Sequence, residues 1–227
     1  MAQIRAAQDI VSRKILIVGT SNKGSRHFSM LRDFHLADFL TLANGCCGTA
    51  AIFFAMSHMR YDNPGGIYAA GVLVAGALLF DVLDGRIARW RHKASPMGRE
   101  LDSLADVISF GVAPACLAYA VGMTGMWDAF VLLYFVACGI SRLARYNVTA
   151  DTLSAGSGKV PYFEGTPIPT STVLVVLVVA LAWLGRIGPR LPLGVFALGP
   201  YDLHPLVLLF ALSGSLMISK TLHLPKP

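Results

Sequence analysis

Four aspartates in one stretch of this chain could do chemistry together. They are Asp81, Asp84, Asp102 and Asp106, within Phe80 to Ala113 (FDVLDGRIARWRHKASPMGRELDSLADVISFGVA). Each pair sits at the edge of a long apolar run, where a charged side chain is costly. Asp81 and Asp84 are three residues apart, Asp102 and Asp106 four. On a helix both spacings put the side chains on one face. Two such helices facing each other would bring four carboxylates to one point. Like charges that close repel, and divalent metal is the usual compensation. The other reading is two helix ends whose acids pair with nearby arginines.

The residues around the acids narrow the choice. The stretch reads Asp81-x2-Asp84-Gly85-x2-Ala88-Arg89-x8-Gly98-x3-Asp102-x3-Asp106. At every defined position it resembles the signature of the CDP-alcohol phosphotransferases. Those membrane enzymes transfer a phosphatidyl-type group from a CDP-activated lipid to an alcohol and release CMP. Transfer of a phosphoryl group needs positioned reactants and cations to offset phosphate charge. Carboxylates are hard oxygen ligands suited to Mg²⁺ or Mn²⁺. Four of them are enough for two ions, and two ions can clamp the attacking and the leaving oxygen. The resemblance implies the same two-metal site and assigns Asp106 as the base that takes the proton from the acceptor hydroxyl.

Gly85 and Gly98 each cost a helix about 1 kcal/mol relative to alanine. Either close helix packing or approach of the cytidine nucleotide to the backbone would repay that. The resemblance favours the nucleotide, and Ala88 would be small for the same reason. Arg89, one turn from Gly85, could bond the pyrophosphate. No Ser, Cys or His sits in the cluster as an evident covalent nucleophile. That favours direct in-line displacement over a phosphatidyl-enzyme.

The elements that must hold these residues are membrane helices. Of the 227 residues 55% are hydrophobic and 14% charged, against roughly 25% charged in soluble domains. Mean hydropathy is +0.59. The expected fold is an all-α polytopic membrane bundle of about six transmembrane helices. The formal net charge of +6 does not call for nucleic acid, because basic residues mark the cytoplasmic loops of membrane proteins. The four cysteines lie in apolar runs without metal-ligand spacing and read as packing residues.

Residues 1–26 read as a flexible N-terminal arm, and 27–227 as one membrane domain. His27 to Asp38 could form an interfacial helix. Phe39 to Met56 carries no charge and is the first span. Asn44 lies within it and could bond another helix or line a substrate cavity. The second span starts near Ile67 and continues as a helix to about Arg91. Pro96 opens the next helix, and the third span covers roughly Gly98 to Val121, with a kink expected at Pro114. The fourth runs from Trp127 to about Ile140 and stays helical through Arg145. A long polar connection is expected over Asn147 to Ile168, then a fifth span to Leu184. An irregular outer loop covers 185–204, and a marginal sixth span covers Pro205 to Ile218. With six spans, sixteen of the nineteen Lys and Arg residues fall on the side that carries the motif and both termini. That bias places the site on the cytosolic face.

Two further stretches bear on the acceptor. Gly139 to Asn147 (GISRLARYN) and Pro161 to Pro169 (PYFEGTPIP) resemble the matching segments of those family members that use L-serine. Serine offers a carboxylate, an ammonium and the attacking hydroxyl. Arg142 and Arg145 could hold the carboxylate, or anchor the chain at the cytosolic surface. Glu164 could hold the ammonium, and Thr166 could bond either group. The family's Gly-Leu-Pro is here Gly165-Thr166-Pro167. The resemblance thus implies CDP-diacylglycerol and L-serine as substrates, membrane lipids as surroundings and a homodimer as assembly. It also implies the endoplasmic reticulum membrane in a eukaryotic host, or the cytoplasmic membrane in a bacterial one. Two alternatives stay open. One is a family member acting on glycerol phosphate, inositol or inositol phosphate. The other is a divalent-cation carrier, which would explain the acids but not Gly85, Gly98 or Arg89.

Overall fold

The computed structural model describes residues 36–91, 96–154, 162–219 and 223–225. The N-terminal arm and most of the segment expected as an interfacial helix lie outside them. Leu36, Ala37 and Asp38 form the first turn of α1 (Leu36–Tyr61). After a short turn comes α2 (Gly65–Arg91), so the two helices form an antiparallel pair, the most extensive among the described residues. Then come α3 (Pro96–Asp106), a π-helical turn (Val107–Val112) and α4 (Ala113–Ala120) as one rod. The remaining helices are α5 (Met126–Ser154), α6 (Thr172–Trp183) and α7 (Leu208–Ile218).

The chain is an all-α membrane bundle. Four segments are long and apolar enough to cross a bilayer: Leu36–Tyr61, Gly65–Ile87, Met97–Ala120 and Met126–Thr149. The expected fifth and sixth spans are the shorter apolar helices Ile168–Trp183 and Pro205–Ile218. Among the described residues the only strands are four short ones. β1 (Tyr162–Glu164) pairs antiparallel with β4 (His223–Pro225). β2 (Phe196–Leu198) pairs with β3 (Tyr201–Leu203).

The helices turn their small and polar residues inward. On α1 the buried set is Asp38, Thr41, Asn44, Gly48, Ala51, Ala55 and His58, a step of three or four that marks one helical face. Large apolar side chains such as Phe53, Val72, Leu133 and Val173 point outward. Lipid tails are as apolar as leucine, so burial of apolar area does not drive these helices together; close packing and hydrogen bonds do. Gly48 is where α1 comes up against the π turn. A methyl group built there would lie 2.7 Å from Ser109 Cα and 2.9 Å from Ser109 N.

The irregularity expected at Pro114 lies one turn earlier, as the π turn over Val107–Val112. Proline has no N–H and cannot bond the carbonyl four residues back, here Phe110. Ser171 Oγ donates to that carbonyl instead, at 2.6 Å. The freed turn widens to i→i−5 bonding, with the Ala113 N–H on Ile108 O, a form that recurs at functional sites.

Two expected loops are more ordered than their composition suggests. The polar connection expected from Asn147 starts later, because α5 continues to Ser154. Asn147 Nδ2 donates to Ser103 Oγ (3.0 Å) and Glu100 Oε2 (3.3 Å), which ties this extension to α3. The outer stretch 185–204 holds the β2–β3 hairpin, closed by Asp128 at the start of α5. Asp128, fully buried, accepts from Gly125 N (2.9 Å) and His204 N (2.8 Å) and meets His204 Nδ1 at 2.6 Å.

Candidate active site

The acids sit where α2, α3 and α1 meet. Asp81, Asp102 and Asp106 each offer a carboxylate oxygen, all within 4.8 Å of one another. Asp81 and Asp102 are half-buried, and Asp106 is 6% exposed. At such separations two ionised carboxylates repel by roughly 3 kcal/mol per pair at an effective dielectric of 20. Asp84, buried on α2, lies within electrostatic reach of the other three. One of its oxygens accepts from Thr41 Oγ1 at 2.7 Å.

Helix α1, outside the motif, completes the site. Its approach is licensed by Gly48 against Ser109, and Ser109 Oγ donates to Asn44 O at 2.9 Å. Asn44 Nδ2 then reaches Asp106 Oδ1 at 3.2 Å. Asp38 on the same face also adds charge beside Asp84. Thr41 and Asn44 are polar residues inside an apolar run, the one sign of their role that the sequence carries. Their partners are 43 and 62 residues away and no local pattern announces them.

The donor set fits a divalent cation. Three carboxylates supply hard oxygens from two helices, and Asp102 Oδ1 is buried with no hydrogen-bond partner. A buried carboxylate oxygen left without a partner costs about 1–3 kcal/mol or more, and a coordinated cation would remove that cost. Asp81, Asp102 and Asp106 are the residues that could share an ion, and Asp84 is near enough to add to the field.

The other expected residues divide. Gly85 is half-buried, and a methyl group built on it meets nothing within 4 Å. Packing against the described residues therefore does not require glycine there. Gly98 is half-buried in the first turn of α3. Ala88 and Arg89 belong to the last turns of α2, and their side chains lie outside those described. Arg142 is partly buried on α5, with its charge near Asp106 and its Nε buried without a partner. Arg145, one turn on, is exposed. Glu164 is in β1, paired in register with His223, and its side chain too lies outside those described. Thr166 is not brought to the acids by any recorded bond; its N–H donates to Leu216 O at 3.2 Å, at the end of α7. The structure thus gathers the four aspartates, with the charge of Arg142 acting on Asp106.

The chain is similar to known proteins along most of its length. Residues 34–213 match the CDP-alcohol phosphatidyltransferase family. A CDP-diacylglycerol–serine O-phosphatidyltransferase from Saccharomyces cerevisiae is 43% identical over 204 residues, 88% of this chain and 74% of that protein. Proteins of the same name from Helicobacter pylori and Bacillus subtilis are 44% and 34% identical. Those alignments cover 58% and 61% of this chain, and 54% and 71% of the relatives.

Proposed function

Because the chain belongs to the CDP-alcohol phosphatidyltransferase family, we propose that it makes phosphatidylserine, transferring the phosphatidyl group of CDP-diacylglycerol to the hydroxyl of L-serine with release of CMP. The observation that carries the reading is a half-buried arginine, Arg142, whose charge acts on Asp106 in an acidic cluster. An amino-acid carboxylate needs a cation next to the group that deprotonates its hydroxyl, and this pair supplies both. The shared name of the yeast and bacterial relatives supports the same acceptor.

In this reading Asp81, Asp84, Asp102 and Asp106 would hold Mg²⁺ or Mn²⁺, two ions in all. Bound there, the metal supplies positive charge against the pyrophosphate and the departing CMP. Gly85 and Gly98 let the nucleotide lie against α2 and α3, with Ala88 keeping the same surface low. Arg89 bonds the pyrophosphate. Arg142 holds the serine carboxylate, aided from the rim by Arg145, and Glu164 and Thr166 close the site from the connecting segment. Asp106 takes the proton from the serine hydroxyl. The freed oxygen bonds to the phosphorus of the phosphatidyl group as the bond from that phosphorus to the CMP oxygen breaks. No enzyme-bound phosphatidyl group forms. The excess of basic residues flanking the cluster supports a site that faces the cytosol.

The test uses purified protein in detergent with CDP-diacylglycerol and Mn²⁺ or Mg²⁺, following CMP release. Serine should support turnover, and inositol and glycerol 3-phosphate should not. EDTA should stop the reaction and either metal should restore it. Turnover with a phosphate-bearing acceptor in place of serine would move the chain elsewhere in the family.

A further inference from the structure

Asn44 is not part of the motif, yet it is fully buried and touches Asp106. A carboxylate only accepts hydrogen bonds, so the amide nitrogen must be the atom facing Asp106. That fixes the amide oxygen on the other side. Asn44 Oδ1 is closed to water and has no hydrogen-bond partner, although buried acceptors are almost always paired. It cannot turn to find one without breaking the bond to Asp106, and its own backbone is held by Ser109 Oγ at 2.9 Å. Arg142 Nε is also buried without a partner, and its charge acts on Asp106. Asp106 is thus bonded to a side chain with an unused neutral acceptor and lies within reach of the charge of one with an unused donor.

That set is complementary to one class of ligand, a zwitterion with a hydroxyl. The hydroxyl goes to Asp106, a carboxylate to Arg142 and an ammonium N–H to Asn44 Oδ1. Glycerol phosphate and inositol phosphate have no ammonium and could offer the amide oxygen only a neutral hydroxyl. We propose that Asn44 receives the ammonium of the acceptor and selects an amino acid over a hydroxy acid. The proposal rests on serine being the acceptor and names a specificity residue in a helix outside the motif.

The experiment compares L-serine with 3-hydroxypropionate, which keeps the hydroxyl and carboxylate and lacks the ammonium. CMP release from CDP-diacylglycerol gives kcat/KM for each, in wild type, Asn44→Leu and Gly76→Ala. Asn44→Leu should lower the serine to 3-hydroxypropionate ratio at least about tenfold, whatever common loss both acceptors share through Asp106. Gly76→Ala, whose methyl meets nothing within 4 Å, should leave the ratio within about threefold of wild type. An unchanged ratio in Asn44→Leu overturns the assignment. So does an Asn44→Leu defect that extra Mn²⁺ repairs for both acceptors, since the oxygen would then be a metal ligand. Should Asn44→Leu not fold, the wild-type protein still decides. N,N,N-trimethylserine keeps the charge and the carboxylate but has no N–H to give, and should be used at least about a hundredfold less well than N-methylserine. Equal use of the two refutes the proposal. Wild-type protein that ignores serine altogether would sink the acceptor reading, and this inference with it. Normal serine turnover with an unaltered ratio would sink this inference alone.

Discussion

Replacing Gly48 with alanine should disable the active site from a position that touches no substrate. The added methyl would lie 2.7 Å from Ser109 Cα and 2.9 Å from Ser109 N, whereas carbon contacts settle at about 3.5–4.0 Å. The obstacle is backbone, so α1 and the π turn must part by roughly 1 Å. The Ser109–Asn44 bond, now 2.9 Å, and the Asn44–Asp106 bond, now 3.2 Å, would both stretch past useful length. Overpacking of this kind costs about 1–3 kcal/mol, or several degrees of Tm in a chain of this size. Displacing a catalytic group by 1 Å can cost about a hundredfold in rate. CMP release and thermal unfolding in the same detergent would measure the two effects. Gly76→Ala is the control, since a methyl there meets nothing within 4 Å. It should keep full activity and lose no Tm. A Gly48→Ala protein with wild-type turnover would refute the claim that close approach of α1 sets the site.

Three smaller perturbations test other parts. Gly85→Ala should raise KM for the CDP-lipid about tenfold or more with no fall in Tm, because the new methyl meets open space in the fold and only a ligand would feel it; an unchanged KM would return Gly85 to a structural role. Arg142→Leu should raise KM for serine by about ten- to a hundredfold, the worth of a charged hydrogen bond, whereas the exposed Arg145→Leu should change it by less than about threefold. Ser171→Ala strands the Phe110 carbonyl and should cost about 1–2 kcal/mol, seen as a lower Tm before any specific loss of serine binding.

The sequence and the structure agree most where the signal is local. Spacing alone put Asp81 with Asp84 and Asp102 with Asp106, and the facing of α2 and α3 followed from needing both pairs at one place. Pro96 as a helix opener is equally local, since a proline fits the first helical turn. What stayed hidden depends on distant partners. Nothing in VISFGV distinguishes a π turn from an α turn; the difference arises because Pro114 releases Phe110 O and Ser171, some 60 residues on, captures it. The α5 extension was read as loop because NVTADTLS is polar, yet Asn147 finds Ser103 and Glu100 and the helix carries on. Asn44 was legible as a polar residue in a span, with helix bonding and cavity lining left open; it does bond another helix, through Asp106 itself. The serine contacts were the least legible. Arg142 and Arg145 look alike in sequence and lie on one helical face; only their surroundings in the fold leave Arg142 half-buried within reach of the Asp106 charge and Arg145 exposed.

The central claim is that Asp81, Asp102 and Asp106 share a divalent cation on which turnover depends. Electron paramagnetic resonance of free Mn²⁺, titrated with purified wild-type protein and with Asp102→Asn, tests it most directly. The account predicts that the wild type removes Mn²⁺ from solution in proportion to its concentration, and that Asp102→Asn, folded and monodisperse, leaves most of it free and releases no CMP. Equal Mn²⁺ uptake by the two proteins, or undiminished CMP release by the variant, would contradict it.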